Sequence, residues 1–165
     1  YANTLIAERI MSAPADSGFS SAAMERGIIL EAEARTWYEM HCDIDVLEVG
    51  MIEYGDTSCS PDGLVIYDRE ANTIQKGLEI KCPLAHTQIS YLLKGIVPNQ
   101  YIPQLQASML VSGAIEWDFL SYHPDLSPLL ITVKRDDEWI AGFQDVLKPF
   151  IEQIKSGLEQ LQATA

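Results

Sequence analysis

Positive charge is scarce in this sequence: 11 lysines and arginines face 24 aspartates and glutamates, a formal net charge of −13 over 165 residues. Phosphate backbones select basic proteins, so composition on its own points away from nucleic acid. The acidic surplus must serve solubility or supply a cation site. Cysteine is scarce as well. Cys42, Cys59 and Cys82 are odd in number and widely spaced, which argues against a disulfide framework and reads as free thiols in a reducing compartment. Without a fourth cysteine or a paired spacing, an iron–sulfur cluster has no ligand set. No apolar run is long enough to span a bilayer, and no basic, apolar leader of the secretory kind is present. A cytoplasmic setting with no membrane partner is therefore expected. No repeat, low-complexity tract or linker divides the chain. Its hydrophobic content of 47% is enough for one well-cored domain over residues 1–165. The first residue is Tyr1 rather than methionine, so an upstream segment is expected.

Periodicity and punctuation set the element order. Residues 1–12 read as the end of a helix, and Pro14, Asp16 and Gly18 make residues 13–20 a loop. Ser20 or Ser21 can cap a helix reaching about Met40, with Met24, Ile28, Trp37 and Tyr38 as its apolar stripe and Gly27 as an interruption. Residues 44–54 alternate apolar and polar side chains and predict a strand. Residues 64–67 and 77–82 predict two more, joined by the turn-rich DREANT. Helices are expected over 84–94 and 99–111, separated by Gly95 and Pro98. Residues 117–122 and 129–134 read as a strand pair around HPDLSP. Asp136 or Asp137 caps a last helix that passes Pro149, with a kink there, toward Leu161. This order predicts an α/β fold, a central mixed β-sheet flanked by α-helices.

Two short stretches carry the chemistry. Ser60-Pro61-Asp62-Gly63-Leu64 precedes Gly77-Leu78-Glu79-Ile80-Lys81-Cys82-Pro83. In a strand, residues i and i+2 share a face. Glu79 and Lys81 therefore project together, while Leu78, Ile80 and Cys82 turn toward a core. Two acids and an amine so placed outline a divalent-metal phosphodiesterase site. Hard oxygen ligands hold Mg²⁺, and the lysine steadies the attacking water or the developing phosphate charge. The backbone carbonyl of Ile80 is a further candidate ligand. Each feature also has a plainer reading. Pro-Asp-Gly is an ordinary turn signal, although a rigid turn also fixes a carboxylate. Glu79 and Lys81 can form an ion pair on a solvated strand, worth about 0–1 kcal/mol. His41, His86 and His123 lack metal-ligand spacing and read as non-catalytic. The sequence offers no G-x-S-x-G, no Gly-rich phosphate loop and no cysteine–histidine arrangement.

The D…E-x-K spacing resembles the PD-(D/E)XK nuclease superfamily, with Asp62 as its aspartate and Glu79-Ile80-Lys81 as its (D/E)-X-K. Longer strings occur in order: RGIILEAEARTWYE, SPDGL, GLEIKCP, YIPQLQASMLVSG and WDFLSYHP. Together they resemble the lambda-exonuclease and YqaJ-type viral recombinase family over nearly the whole chain. The resemblance adds residues that spacing does not select. The family places an acid in a G-x-x-x-E of the first long helix, matched by Gly27 to Glu31. Glu31 thereby becomes a metal-site candidate, with Glu33 as fallback. The family also places a glutamine where Gln104 stands, to orient the lysine or the water. Tyr101, one turn earlier, is expected to line the same cleft, with His86 near DNA.

What the resemblance implies is a Mg²⁺-dependent exodeoxyribonuclease, phage- or prophage-encoded and cytoplasmic in a bacterial host. It would act on double-stranded DNA ends, degrading one strand 5′ to 3′ and leaving a 3′ single strand for recombination. The implied ligands of two Mg²⁺ ions, with Mn²⁺ as a substitute, are Asp62, Glu79, the Ile80 carbonyl and Glu31. The implied catalytic set is Asp62, Glu79, Lys81 and Gln104. A ring-shaped homotrimer and a single-strand annealing protein as partner are implied too. By the same resemblance, the family's grip on the 5′ phosphate is expected to lie upstream of Tyr1. Two alternatives stay open: a nuclease of the same fold with endonucleolytic or different end specificity, and a non-catalytic scaffold for DNA ends or an annealing protein.

Overall fold

Alternation and turn chemistry become the following elements in a computed structural model that describes residues 1–14, 22–68, 70 and 73–162. In chain order they are α1 (Ala2–Met11), α2 (Ala22–Cys42), β1 (Ile52–Tyr54), β2 (Thr57–Cys59), β3 (Gly63–Asp68), β4 (Thr73–Lys81), α3 (Ala85–Lys94), α4 (Ile102–Ser112), β5 (Glu116–His123), β6 (Leu126–Lys134) and α5 (Asp137–Gln162). Residues 15–21, with the expected Ser20 or Ser21 cap, lie outside the described residues, as do parts of the DREANT turn. α3 and α4 each end on a left-handed glycine, Gly95 and Gly113, where only glycine avoids the Cβ penalty.

The sheet runs β3-β4-β5-β6. β4 pairs antiparallel with β3 and parallel with β5, and β5 pairs antiparallel with β6. This is the mixed sheet that the sequence predicts. Its two faces follow the period of two. Leu78, Ile80, Leu120 and Tyr122 pack against Ala34 and Tyr38 of α2. Trp117 and Phe119 pack against Leu105 and Met109 of α4. Each such fully buried side chain contributes roughly 1.5–3 kcal/mol.

The structure corrects the expected strand over residues 44–54. Only Ile52–Tyr54 is a strand, and it forms a separate two-stranded sheet with β2, which the sequence reading missed. Ile44 and Val46 still pack on the core, so burial alone accounts for their alternation. A single bridge, Leu47 to Leu64, ties this stretch to the main sheet. The expected stripe on α2 also shifts. Tyr38 and Ala34 are buried, whereas Ile28 is 73% exposed. α5 continues through Pro149 without a break in the helix.

The chain forms two compact units, one of residues 1–20 with 137–165 and one of residues 21–136. In the first, α1 and α5 pack together, with Tyr1 stacked on Phe150 (6.1 Å between centroids) and Ile6 against Gly157. Every candidate site residue lies in the second.

One glycine in that unit makes a stability prediction. A Cβ on Gly77 would lie 2.5 Å from Trp117 Cη2, and Trp117 is wholly buried. Overpacking of this kind costs about 1–3 kcal/mol. Gly77→Ala is expected to lower the unfolding free energy by that amount, read as a lower urea midpoint with an unchanged m-value.

Candidate active site

β4 delivers Glu79 and Lys81 to the α4 face of the sheet, as their spacing requires. Glu79 is not on a solvated strand: it is 2% exposed. Its Oε1 accepts the Lys81 ammonium and the Gln104 Nε2 amide, the latter at 2.7 Å. Gln104 therefore holds the same Glu79 carboxylate oxygen that receives the Lys81 ammonium. The neighbouring Gln106 is structural, donating to the Lys134 carbonyl and accepting from the Asp136 amide. Lys81 also lies 5.4 Å from the centre of the Tyr101 ring, within cation–π range. Burial works to lower the pKa of Lys81. The charge and hydrogen bond of Glu79, with Asp62 and Tyr101, outweigh it and hold the ammonium above its ordinary range.

Asp62 arrives from the turn before β3. Its amide donates to the Leu78 carbonyl (3.1 Å), and its Oδ2 accepts from the Ile80 amide (2.6 Å). The carboxylate thus extends the ladder sideways, past the last β3–β4 pair at Gly63 and Leu78. The SPDGL spacing has a packing reason, because a side chain on Gly63 would overlap Val46. A strand residue presents its N–H and C=O to the same side. The Ile80 carbonyl therefore opens on the edge where Asp62 sits.

A cleft of about 430 Å³ is lined by Glu31, Asp62, Ile80, Lys81 and Tyr101, among others. The helix that carries Glu31 separates the two acidic candidates. Glu31 faces the cleft, while Glu33 accepts a hydrogen bond from Tyr122 (2.7 Å). Burial, then the charge of Glu79, pushes the Asp62 carboxyl up to about 6. Burial, then the charge of Asp62, also raises that of Glu31, against the pull of Arg35.

Sequence reasoning missed two arginines here. Arg35 donates to Glu31 (2.7 Å) and to the Asp62 carbonyl (3.1 Å). Arg26 donates to the carbonyls of Cys82 (2.8 Å) and Pro83 (2.9 Å). The Glu31–Arg35 spacing of i, i+4 was a usable signal; the carbonyl contacts left none. His123 is buried, with its Nδ1 accepting from the Asp125 amide. His41 stacks on Trp37, and His86 is exposed. All three cysteines are free thiols.

The donors suit a hard divalent ion. Asp62 and the buried Glu79 press like charges together, which adds to the effect of burial in raising the Asp62 value, and a cation between them would relieve it. Among the described residues, no three His, Cys, Asp or Glu side chains converge to hold an ion by themselves. Mg²⁺ does not require that, since it keeps several waters and takes one or two carboxylates together with substrate phosphate.

The Asp62 shift has a testable sign. Its folded value of about 6 lies above the ordinary 3.8. Above pH 6 the carboxylate is charged in both states and penalises the metal-free fold by about 3 kcal/mol. That penalty is relieved as the pH falls through 6 toward 4. Asp62→Asn is therefore expected to be more stable than the parent at pH 8 in chelator, with the advantage shrinking by pH 4.5. Urea unfolding at the two pH values checks this.

The fold and this constellation define a nuclease. A family model for the YqaJ-like viral recombinase domain matches residues 1–115, and the chain belongs to that family. It is similar to the crystal structure of an alkaline exonuclease (LHK-Exo) from Laribacter hongkongensis. The identity is 30% and the TM-score 0.85, over 99% of this chain and 82% of that one. LHK-Exo in complex with dAMP matches at 32% identity and a TM-score of 0.86, over 99% and 83%. A phage-related exonuclease from Haemophilus somnus 129PT shares the fold at 15% identity and a TM-score of 0.59, over 99% and 81%. A search of curated proteins finds no match.

Proposed function

We propose that this chain is a Mg²⁺-dependent exodeoxyribonuclease that attacks double-stranded DNA ends. It degrades one strand 5′ to 3′ and leaves a 3′ single strand for recombination by annealing. The observation that carries the reading is the meeting of Asp62 and Lys81 at one cleft, with Lys81 bonded to the buried Glu79 beside it, on a fold shared with an alkaline exonuclease. The reading includes a ring-shaped homotrimer, a single-strand annealing partner, Mn²⁺ as a substitute ion and a phage-type setting in bacterial cytoplasm. No described helix is long and apolar enough to cross a membrane.

Asp62, Glu79 and the Ile80 carbonyl would hold one ion, and Asp62 with Glu31 a second. When bound, such ions lower the pKa of water and neutralise charge on the scissile phosphate. The remaining work belongs to the chain. Glu79, held by Gln104, keeps the Lys81 ammonium aimed at the cleft. Lys81 offers a compact positive donor to the attacking water or to a phosphate oxygen. Asp62 is fixed from both ends by β4, so its carboxylate needs little reorganisation. No histidine base is required, which agrees with the placement of all three histidines.

End-labelled substrates test this. A 5′-phosphorylated linear duplex is expected to lose a 5′ label as mononucleotide early and a 3′ label late, while closed circular duplex stays intact. Cleavage of the circle supports the endonucleolytic alternative, and early loss of the 3′ label reverses the polarity. Specific Mg²⁺ binding with no cleavage of any DNA supports the scaffold alternative.

A further inference from the structure

Arg35 follows Glu31 by one turn on α2, and its side chain is only 12% exposed. Its nitrogens reach three separate segments. Nη2 donates to Glu31 Oε1 at 2.7 Å, Nη1 lies 3.0 Å from Glu48 Oε2, and Nε donates to the Asp62 carbonyl at 3.1 Å. A guanidinium is a rigid planar fork with fixed donor directions. These bonds therefore fix the helix, the stretch before β1 and the SPDGL turn against one another. Glu48 is the outer anchor, with 71% of its side chain exposed. The inner two partners belong to candidate metal-site residues. Glu31 and Asp62 carry like charge at one cleft, and burial makes their repulsion stronger. Arg35 supplies the compensating charge. It also secures the Asp62 main chain at the carbonyl, while β4 secures its amide and its carboxylate.

We propose that Arg35 is a positioning residue of the metal site, holding the Glu31 carboxylate and the Asp62 backbone in register for a divalent cation before the cation arrives. The proposal rests on the nuclease reading and deepens it. It differs from a purely structural role in its consequence, because loss of Arg35 weakens ion binding in protein that is still folded. Partners that orient metal ligands typically change affinity about 10–100-fold when removed.

The test uses Arg35→Met and Arg35→Lys beside the parent. Ca²⁺ and Mg²⁺ binding is measured by isothermal titration calorimetry without DNA, and the half-saturating Mg²⁺ is measured for cleavage. Urea unfolding in chelator reports stability. Both variants are expected to bind each ion about 10–100-fold more weakly, with a matching rise in half-saturating Mg²⁺ and a smaller fall in kcat at saturating Mg²⁺. Lysine does not rescue, because one ammonium cannot bridge Glu31 and the Asp62 carbonyl in the guanidinium's geometry. Arg35→Lys keeps the charge and remains measurable if Arg35→Met fails to fold. A lower urea midpoint with ion affinity unchanged in Arg35→Lys overturns the proposal. If the parent binds neither ion and cleaves no DNA, the nuclease reading fails and takes the proposal with it. If the parent binds and cleaves and the variants bind as tightly, the proposal alone fails.

Discussion

Asp62→Ala and Glu79→Ala are each expected to abolish cleavage, with losses on the order of 10³-fold or more, since on the proposed reading each removes a charged ligand on which the ion's chemistry depends. The two substitutions differ in what else they disturb. Asp62 meets β4 through its own amide and its carboxylate. Its alanine variant keeps the amide bond, loses one acceptor for the Ile80 N–H and sheds like-charge repulsion with Glu79. Its metal-free stability is therefore expected to change little. Glu79 lies deeper and accepts both Lys81 and Gln104. Its alanine variant leaves Lys81 partly buried without its nearest counter-charge, so a stability loss is expected alongside the activity loss. Glu79→Gln keeps the volume and an acceptor oxygen and isolates the loss of charge. The measurement is release of acid-soluble nucleotides from linear duplex in Mg²⁺, with circular dichroism and urea unfolding as controls. Parental activity in either purified alanine variant would sink the metal-site assignment. Ca²⁺ should bind but support little turnover, because its larger, looser shell positions water poorly.

Features governed by local period were legible in the sequence, and features governed by distant partners were not. The shared face of Glu79 and Lys81 follows from a period of two, which no tertiary context alters. The opposite faces of the sheet, Leu78 and Ile80 against Trp117 and Phe119, follow from the same rule. Glu31 required the family resemblance, because the one signal on α2 that separates it from Glu33, its i, i+4 spacing to Arg35, went unused. In the fold, the packing of Tyr122 makes that separation. The stretch over residues 44–51 misled because burial of Ile44 and Val46 produces alternation without a ladder partner. Arg35 escaped because one acceptor is a main-chain carbonyl 27 residues away, and carbonyls leave no sequence signature. The same holds for the buried carboxylate of Asp118. It accepts from Tyr38 (2.5 Å), Lys76 (3.2 Å) and Thr132 (2.5 Å) and so ties α2 to the sheet. Net charge misled in the other direction. An acidic surplus argues against nucleic acid only when phosphate is met by protein charge alone, and here a divalent ion would share that task.

Lys81→Ala should reduce kcat by about 10²–10³-fold, the usual cost of removing one positioned electrostatic group, while leaving DNA affinity nearly intact. The ammonium is well prepared for such a role. Its side chain is 29% exposed, and it sits between the Glu79 carboxylate and the Tyr101 ring. Burial would discharge it, but the surrounding negative charge raises its pKa instead. That direction favours the protonated form and suits the proposed role of charge and donor rather than base. Lys81→Arg should not rescue fully, because a planar guanidinium is bulkier and cannot replace a compact ammonium at one water. The competing account makes Lys81 only the structural counter-ion of buried Glu79. That account predicts a lower urea midpoint for Lys81→Ala with near-parental chemistry in whatever protein remains folded. Single-turnover cleavage at saturating enzyme, with binding measured separately in Ca²⁺, separates the two. A slow chemical step with parental binding places Lys81 at the reaction. A parental single-turnover rate makes it a structural ion pair, and the E-x-K assignment then fails at its most specific residue.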